Sequence, residues 1–160
     1  MSLGHPLTDS DREPWLKLIR TTAEHMTLEA QSGTKADKRA VVISCSALKR
    51  RYRDILRGQV DQQGNNVKPS TSENYQKPIL KTLFVYIEGT RDVLMDRMMK
   101  RTGHFMKPSM LDSQLETLES PTHEEGTIVI SLIDSSEDQV RVAQQGLRTA
   151  LNMETEGAVP

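Results

Sequence analysis

VVISCSALKRRYRDILR, residues 41–57, is the stretch on which the reading of this chain turns. It opens on Val41, Val42 and Ile43, a β-branched run that predicts a strand buried on both faces. Ser44, Cys45, Ser46 and Ala47 follow, all small, so a turn there brings backbone close to a ligand. A helix is predicted next, with Leu48, Tyr52, Ile55 and Leu56 spaced to share one face. Lys49, Arg53 and Arg57 recur every fourth residue as a separate cationic stripe. Open α/β sheets meet anionic ligands at the carboxyl ends of their strands, and a buried strand feeding a basic helix fits that arrangement. The plainer reading is a solvated helix face. What favours a site is that the stripe begins where the buried strand ends.

Composition bounds the rest. With 160 residues, 36% hydrophobic and 27% charged, one soluble domain with loose segments is expected. A net charge of -1 argues against nucleic-acid or membrane-surface binding, so the basic stripe is local. No apolar run approaches the roughly 18 residues of a membrane span, and no charged-then-apolar leader opens the chain, so a cytoplasmic protein is expected. The single cysteine, Cys45, leaves no internal disulfide and is expected as a buried small hydrophobe rather than a nucleophile. His5, His25, His104 and His123 are scattered without zinc-ligand spacing.

Upstream of the central stretch, Trp15, Leu16, Ile19, Ala23, Met26 and Ala30 fall at helical offsets, with Pro14 in the first turn and Ser10 and Glu13 as a candidate capping box. Asp9, Asp11 and Arg12 lie at the mouth of that helix. Two readings of the aspartates stay open: complementing the helix dipole, or forming a polar cluster beside a ligand. Downstream, residues 58–78, GQVDQQGNNVKPSTSENYQKP, are nearly free of large apolar side chains and are expected as a mobile insertion. Leu80–Ile87 predicts a second strand ended by Gly89. A basic helix over Asp92–Arg101 places Val93, Leu94 and Met98 inward, with Arg97 and Arg101 four apart on one face. Gly103 is its expected cap. Ser109 is expected to cap a helix to Glu119, stopped by Pro121. Such a helical pair with paired arginines suits a movable cover over phosphate, or is an ordinary hairpin with solvated arginines. Thr127–Ile133 predicts a third strand, and Ser135 or Ser136 caps a last helix ending at Leu151. The order of helices and strands implies an α/β fold: a parallel sheet covered by helices.

Three blocks in this order, GHPLTDSDREPWL, VVISCSALKRRYRDILR and RMMKRTGHFMKPSMLDSQLETLESP, together with the final strand and helix, resemble gluconokinase, a P-loop small-molecule kinase family. The resemblance covers nearly all of the chain except residues 58–78 and the tail. It implies a P-loop kinase-like domain over residues 1–151, with a lid region at 102–122 and a disordered tail at 152–160. It implies transfer of the γ-phosphoryl of ATP to the 6-hydroxyl of D-gluconate, with Mg²⁺, feeding the pentose phosphate route. Arg12 and Arg53 would then hold the sugar acid, with His104 and Gln114 on the lid side of the cleft. Arg97 and Arg101 would clamp the ATP phosphates. The substrate is a small molecule, no nucleic acid or membrane is implied, and a homodimer stays open.

The chain also departs from that pattern. The family opens with a strand, a GxxxxGK[ST] phosphate loop, a helix and a second strand ending in an acidic residue, and no GxxxxGK[ST] occurs in this sequence. The N-terminal strand–loop–helix–strand is therefore expected to be absent, the chain beginning partway through the ancestral protein. No catalytic residue is assigned, since phosphate loop and acidic base are both missing. The missing loop would supply the N–H cradle, the phosphate lysine and the Mg²⁺-binding hydroxyl. The polypeptide as written is expected to be inactive. The alternative is a non-catalytic gluconate-binding or regulatory remnant of the family.

Overall fold

Thr8 starts the first helix. Its hydroxyl accepts from the Asp11 N–H at 3.3 Å, and the Asp11 carboxylate accepts from the Thr8 N–H at 2.9 Å, a closed capping box. Helix α1, Asp9–Glu24, thus begins five residues before Pro14, and the box is not the expected Ser10–Glu13 pair. Pro14 sits in the second turn, where its ring leaves the Ser10 carbonyl without its intrahelical donor. The helix runs on as a π-helical turn, His25–Glu29, in which buried Thr27 returns its hydroxyl to the Ala23 carbonyl at 2.7 Å.

A computed structural model describes residues 8–29, 39–60, 80–100 and 108–151, in two compact units divided between Thr82 and Leu83. In the first unit α1 packs on α2, Arg50–Arg57. Leu16 and Ala23 of α1 and Tyr52, Ile55 and Leu56 of α2 are buried, so the apolar face read from the sequence of α2 is the packed one. Each large side chain buried there contributes about 1.5–3 kcal/mol. Trp15 and Met26, expected on the same stripe of α1, stay half exposed. Gly58 ends α2 in the left-handed region at φ 74°, with its N–H on Ile55 and that of Gln59 on Asp54.

Residues 41–48 take no regular secondary structure, so the strand expected at Val41–Ile43 is not formed. Val42 is 98% exposed. β-branched residues favour strands only where neighbouring strands complete a ladder and cover both faces, and propensity alone does not supply them. The cationic stripe dissolves as well. Lys49 precedes the helix and pairs with Asp9, Arg57 pairs with Asp54, and Arg53 is buried.

In the second unit β1, Phe84–Glu88, and β2, Thr127–Ser131, pair in parallel from Phe84 opposite Thr127 to Glu88 opposite Ser131. Helices α3, Arg91–Lys100, and α4, Pro108–Thr117, lie between them in sequence and pack on each other. Val93, Leu94 and Met98 are half buried, as their spacing predicts. Helix α4 starts at Pro108, so Ser109 lies inside it rather than capping it; proline suits a first helical position, where its missing N–H costs nothing. Helix α5, Ser136–Ala150, is capped by Ser135, which accepts from the Asp138 N–H at 3.1 Å, and packs on β2. That packing needs Gly146: a Cβ there would lie 2.8 Å from Ile128 Cγ2. Both strands are shorter than expected, leaving Leu80–Leu83 and Leu132–Ile133 outside the ladder. The expected insertion beyond Val60, the Gly103 cap and the tail lie outside the described residues.

Candidate functional site

The first turn of α1 and the start of α2 are joined by a polar cluster. Lys49 Nζ donates to both oxygens of the Asp9 carboxylate, at 2.9 and 2.7 Å. The Tyr52 hydroxyl donates to Asp9 Oδ1 and accepts from Arg12 Nη1 at 3.2 Å. The Arg12 guanidinium carbon and Lys49 Nζ each lie 5.8 Å from the Tyr52 ring centroid, within cation–π range. Bonds from Lys49 and then Tyr52 hold the Asp9 carboxyl below the usual carboxylate range. Burial, reinforced by Asp9, pushes the Tyr52 phenol above its ordinary value. Asp9 is therefore an interhelix anchor and Asp11 a cap, so the two aspartates left open by the sequence have separate local tasks.

Arg53 is 2% exposed. Its Nη1 donates to the carbonyl oxygens of Ala47 and Leu48 at 2.6 and 3.0 Å, in the small-residue turn where a close ligand was expected. Ala47 has φ 37°, in the left-handed region that residues with a Cβ seldom adopt. Of the residues expected to hold the sugar acid, Arg12 thus engages Tyr52 and Arg53 engages this turn.

In the second unit Arg97 is exposed on α3, and its Nη2 donates to the Leu132 carbonyl oxygen at 2.5 Å, just past β2. Gln114 is half buried on α4. Arg101 and His104 lie outside the described residues. Arg91 and Asp112, which the sequence did not single out, tie α3 to α4 by two bonds of 2.6 and 3.1 Å. That bond raises the Arg91 pKa and lowers that of Asp112. The signal for a helical pair was legible in sequence, but not the pair that clasps it, because the partners are 21 residues apart.

Arg20 was also missed. Its Nη1 donates to the carbonyls of Leu56 and Leu80 and to the Thr82 hydroxyl, while Nε holds Glu24 at 2.7 Å. Only its i,i+4 spacing to Glu24 was visible in the sequence. Open grooves among the described residues include one of about 460 Å³ beside Gly126–Ile128 and α5 and one of about 560 Å³ beside Arg91 and Asp112; neither of these is lined by Arg12 or Arg53. The described residues hold no group of three or more His, Cys, Asp or Glu suited to a metal, and no helix long and apolar enough to cross a membrane.

No family model matches the chain. It is 40% identical over 136 residues to a "probable gluconokinase" of Xenopus tropicalis, covering 82% of this chain and 63% of that protein. It is 36% identical over 146 residues to a "probable gluconokinase" of Mus musculus, covering 89% of this chain and 72% of that protein. The crystal structure of a gluconokinase from Sinorhizobium meliloti superimposes with a TM-score of 0.66 at 39% identity, over 96% of this chain and 71% of that one. The chain therefore spans about three fifths to seven tenths of the length of these relatives.

Proposed function

The chain belongs to the gluconokinase family, and on that basis we propose that it serves the transfer of the γ-phosphoryl group of ATP to the 6-hydroxyl of D-gluconate. The observation that carries this reading is the Arg12–Tyr52–Asp9 contact, which joins the DSDR and YRD blocks into one charged corner of the first unit. Arg12 is the residue we assign to the gluconate carboxylate. A guanidinium offers donors in a fixed fork that matches a carboxylate, and the bond to Tyr52 uses only one of them. Arg53 is assigned to the same ligand by the resemblance alone, since its Nη1 is committed to the Ala47 turn. His104 and Gln114 are assigned to substrate binding by the resemblance alone.

Arg97 and Arg101 are assigned to the ATP phosphates. ATP supplies the transferable phosphoryl group when bound; the arginines hold and neutralise its charge, since catalysis of this type is positioning plus electrostatics. For Arg97 to do so its Nη2 must leave or share the Leu132 carbonyl. Mg²⁺ belongs to the reaction, but the described residues include no acidic cluster fitted to it, and none is assigned as its ligand. The product, 6-phospho-D-gluconate, feeds the pentose phosphate route, and the protein acts in the cytoplasm.

These 160 residues contain no GxxxxGK[ST] sequence, so by themselves they are expected to bind gluconate without turning it over. Losing a single charge-stabilising arginine costs about 10³–10⁵ in rate in related phosphoryl transfers, and the cradle with its lysine contributes more than one such group. Two measurements on the purified chain test this. Calorimetric titration with D-gluconate is expected to give saturable binding; none would refute the substrate assignment. A coupled assay with gluconate, ATP and Mg²⁺ is expected to give no turnover, and a rate near that of a full-length relative would refute the expected inactivity.

A further inference from the structure

The Tyr52 hydroxyl stands between a carboxylate and a guanidinium. It gives its one proton to Asp9 and so can only accept from Arg12, which donates from Nη1 at 3.2 Å. Asp9 is close enough to feel the charge of Arg12, and without an interposed group the two would form an ion pair. Such a pair would spend the guanidinium on an internal partner. Lys49 Nζ donates to both Asp9 oxygens and weakens the pull further.

We propose that Tyr52 is a positioning residue that keeps Arg12 available to the substrate carboxylate, its hydroxyl acting as a spacer between Arg12 and Asp9, with Lys49 as the counter-charge that lets Asp9 do without Arg12. This rests on the assignment of Arg12 to gluconate made above. The spacer holds the guanidinium by one neutral hydrogen bond and by the ring face, enough to orient it and too little to neutralise it. Removing the hydroxyl therefore does more than loosen Arg12: it lets Asp9 capture it.

The test is gluconate affinity, by calorimetry on the full chain, for wild type, Tyr52→Phe, Asp9→Asn, the double variant and Arg12→Ala. The phenyl ring retains the buried volume of Tyr52, and thermal melting checks that each variant folds. Tyr52→Phe is expected to weaken gluconate binding about tenfold, the scale of one charge-assisted hydrogen bond. Asp9→Asn in that background is expected to restore most of the loss, because the competing charge is gone. A purely structural role predicts the opposite, a double variant weaker than either single one. Should Tyr52→Phe fail to fold, Asp9→Asn alone decides: unchanged or tighter binding supports the spacer, and tenfold weaker binding overturns it. Equal affinity of Tyr52→Phe and wild type also overturns it. Wild type that binds no gluconate, or Arg12→Ala that binds as wild type does, defeats the substrate assignment itself and the spacer with it.

Discussion

Arg53 holds Ala47 in a conformation that Ala47 would not choose. The donor is buried, the acceptor is the carbonyl of a residue at φ 37°, and the bond is 2.6 Å long. A left-handed backbone at a residue with a Cβ costs about 1–2 kcal/mol and persists only where its surroundings over-determine it. Here the guanidinium supplies that constraint from within α2, six residues along the chain.

Replacing Arg53 by Met should therefore destabilise the fold by about 3 kcal/mol, through two part-buried carbonyls that lose a charged donor. Urea denaturation measures it. An unchanged midpoint would mean that the turn holds without the guanidinium.

At Ala47 itself the two opposing terms are close. Glycine removes the left-handed penalty of about 1–2 kcal/mol but adds about 0.5–1 kcal/mol of backbone entropy. Ala47→Gly should raise stability by about 0.5 kcal/mol, and Ala47→Val should lower it by about 1–2 kcal/mol through β-branching. The order Gly above Ala above Val in denaturation midpoint checks the strain.

Arg20 ties Leu56, Leu80 and Thr82 to α1 with a single guanidinium nitrogen. Arg20→Ala leaves those acceptors without it and should cost about 2–4 kcal/mol. Glu24→Ala removes only the partly exposed i,i+4 pair and should cost under about 0.5 kcal/mol. Comparable losses for the two variants would contradict the bonding seen here.

Gly146→Ala sets helix propensity against space. Alanine gains about 1 kcal/mol in a helix interior, but its Cβ would lie 2.8 and 2.9 Å from the Cγ2 and Cγ1 atoms of Ile128. Those atoms sit on a stiff β-branched side chain in β2, so the clash wins and the variant should lose about 1–2 kcal/mol. Ile128→Ala combined with Gly146→Ala should lose less than the sum of the two single changes. Strict additivity would sink the packing argument.

Acid should weaken the α1–α2 junction. The Asp9 carboxyl is held below its ordinary value of 3.8 by bonds from Lys49 and then Tyr52. The unfolded chain takes up that proton first, so the contribution is complete above about pH 4 and is lost as pH falls through the folded value. Asp11, held low by Thr8, and Glu13, held low by Lys17 and then Arg51, act in the same direction. The Tyr52 phenol acts at the other end. Raised above its ordinary 10.0, it contributes fully below pH 10, and that contribution is lost as pH rises through the folded value. Asp9→Asn should flatten the decline in stability below about pH 4, modestly because the carboxylate is half exposed. An unaltered acid limb would remove Asp9 from the account.

Much of this was legible in adjacent residues. The apolar face of α2, the inward side of α3, the Ser135 cap and the cores of β1 and β2 all follow from spacing within a few positions. The strand at Val41–Ile43 was not, because the same β-branched letters serve a strand or an exposed segment according to whether neighbours complete a ladder. The cationic stripe failed for a related reason. Periodicity places Lys49, Arg53 and Arg57 on a helix but is silent on the acids and carbonyls that meet them.

The residue pattern alone determined the kind of fold and, through its three blocks, the family, because both are encoded in short runs whose periodicity and order survive without coordinates. Tertiary structure alone decided what each charge does: that Arg53 pins a strained turn, that Arg20 gathers distant carbonyls, and that Tyr52 stands between Arg12 and Asp9. The reason is separation. Tyr52 and Asp9 lie 43 positions apart, and only the packing of α1 on α2 brings the hydroxyl to the carboxylate.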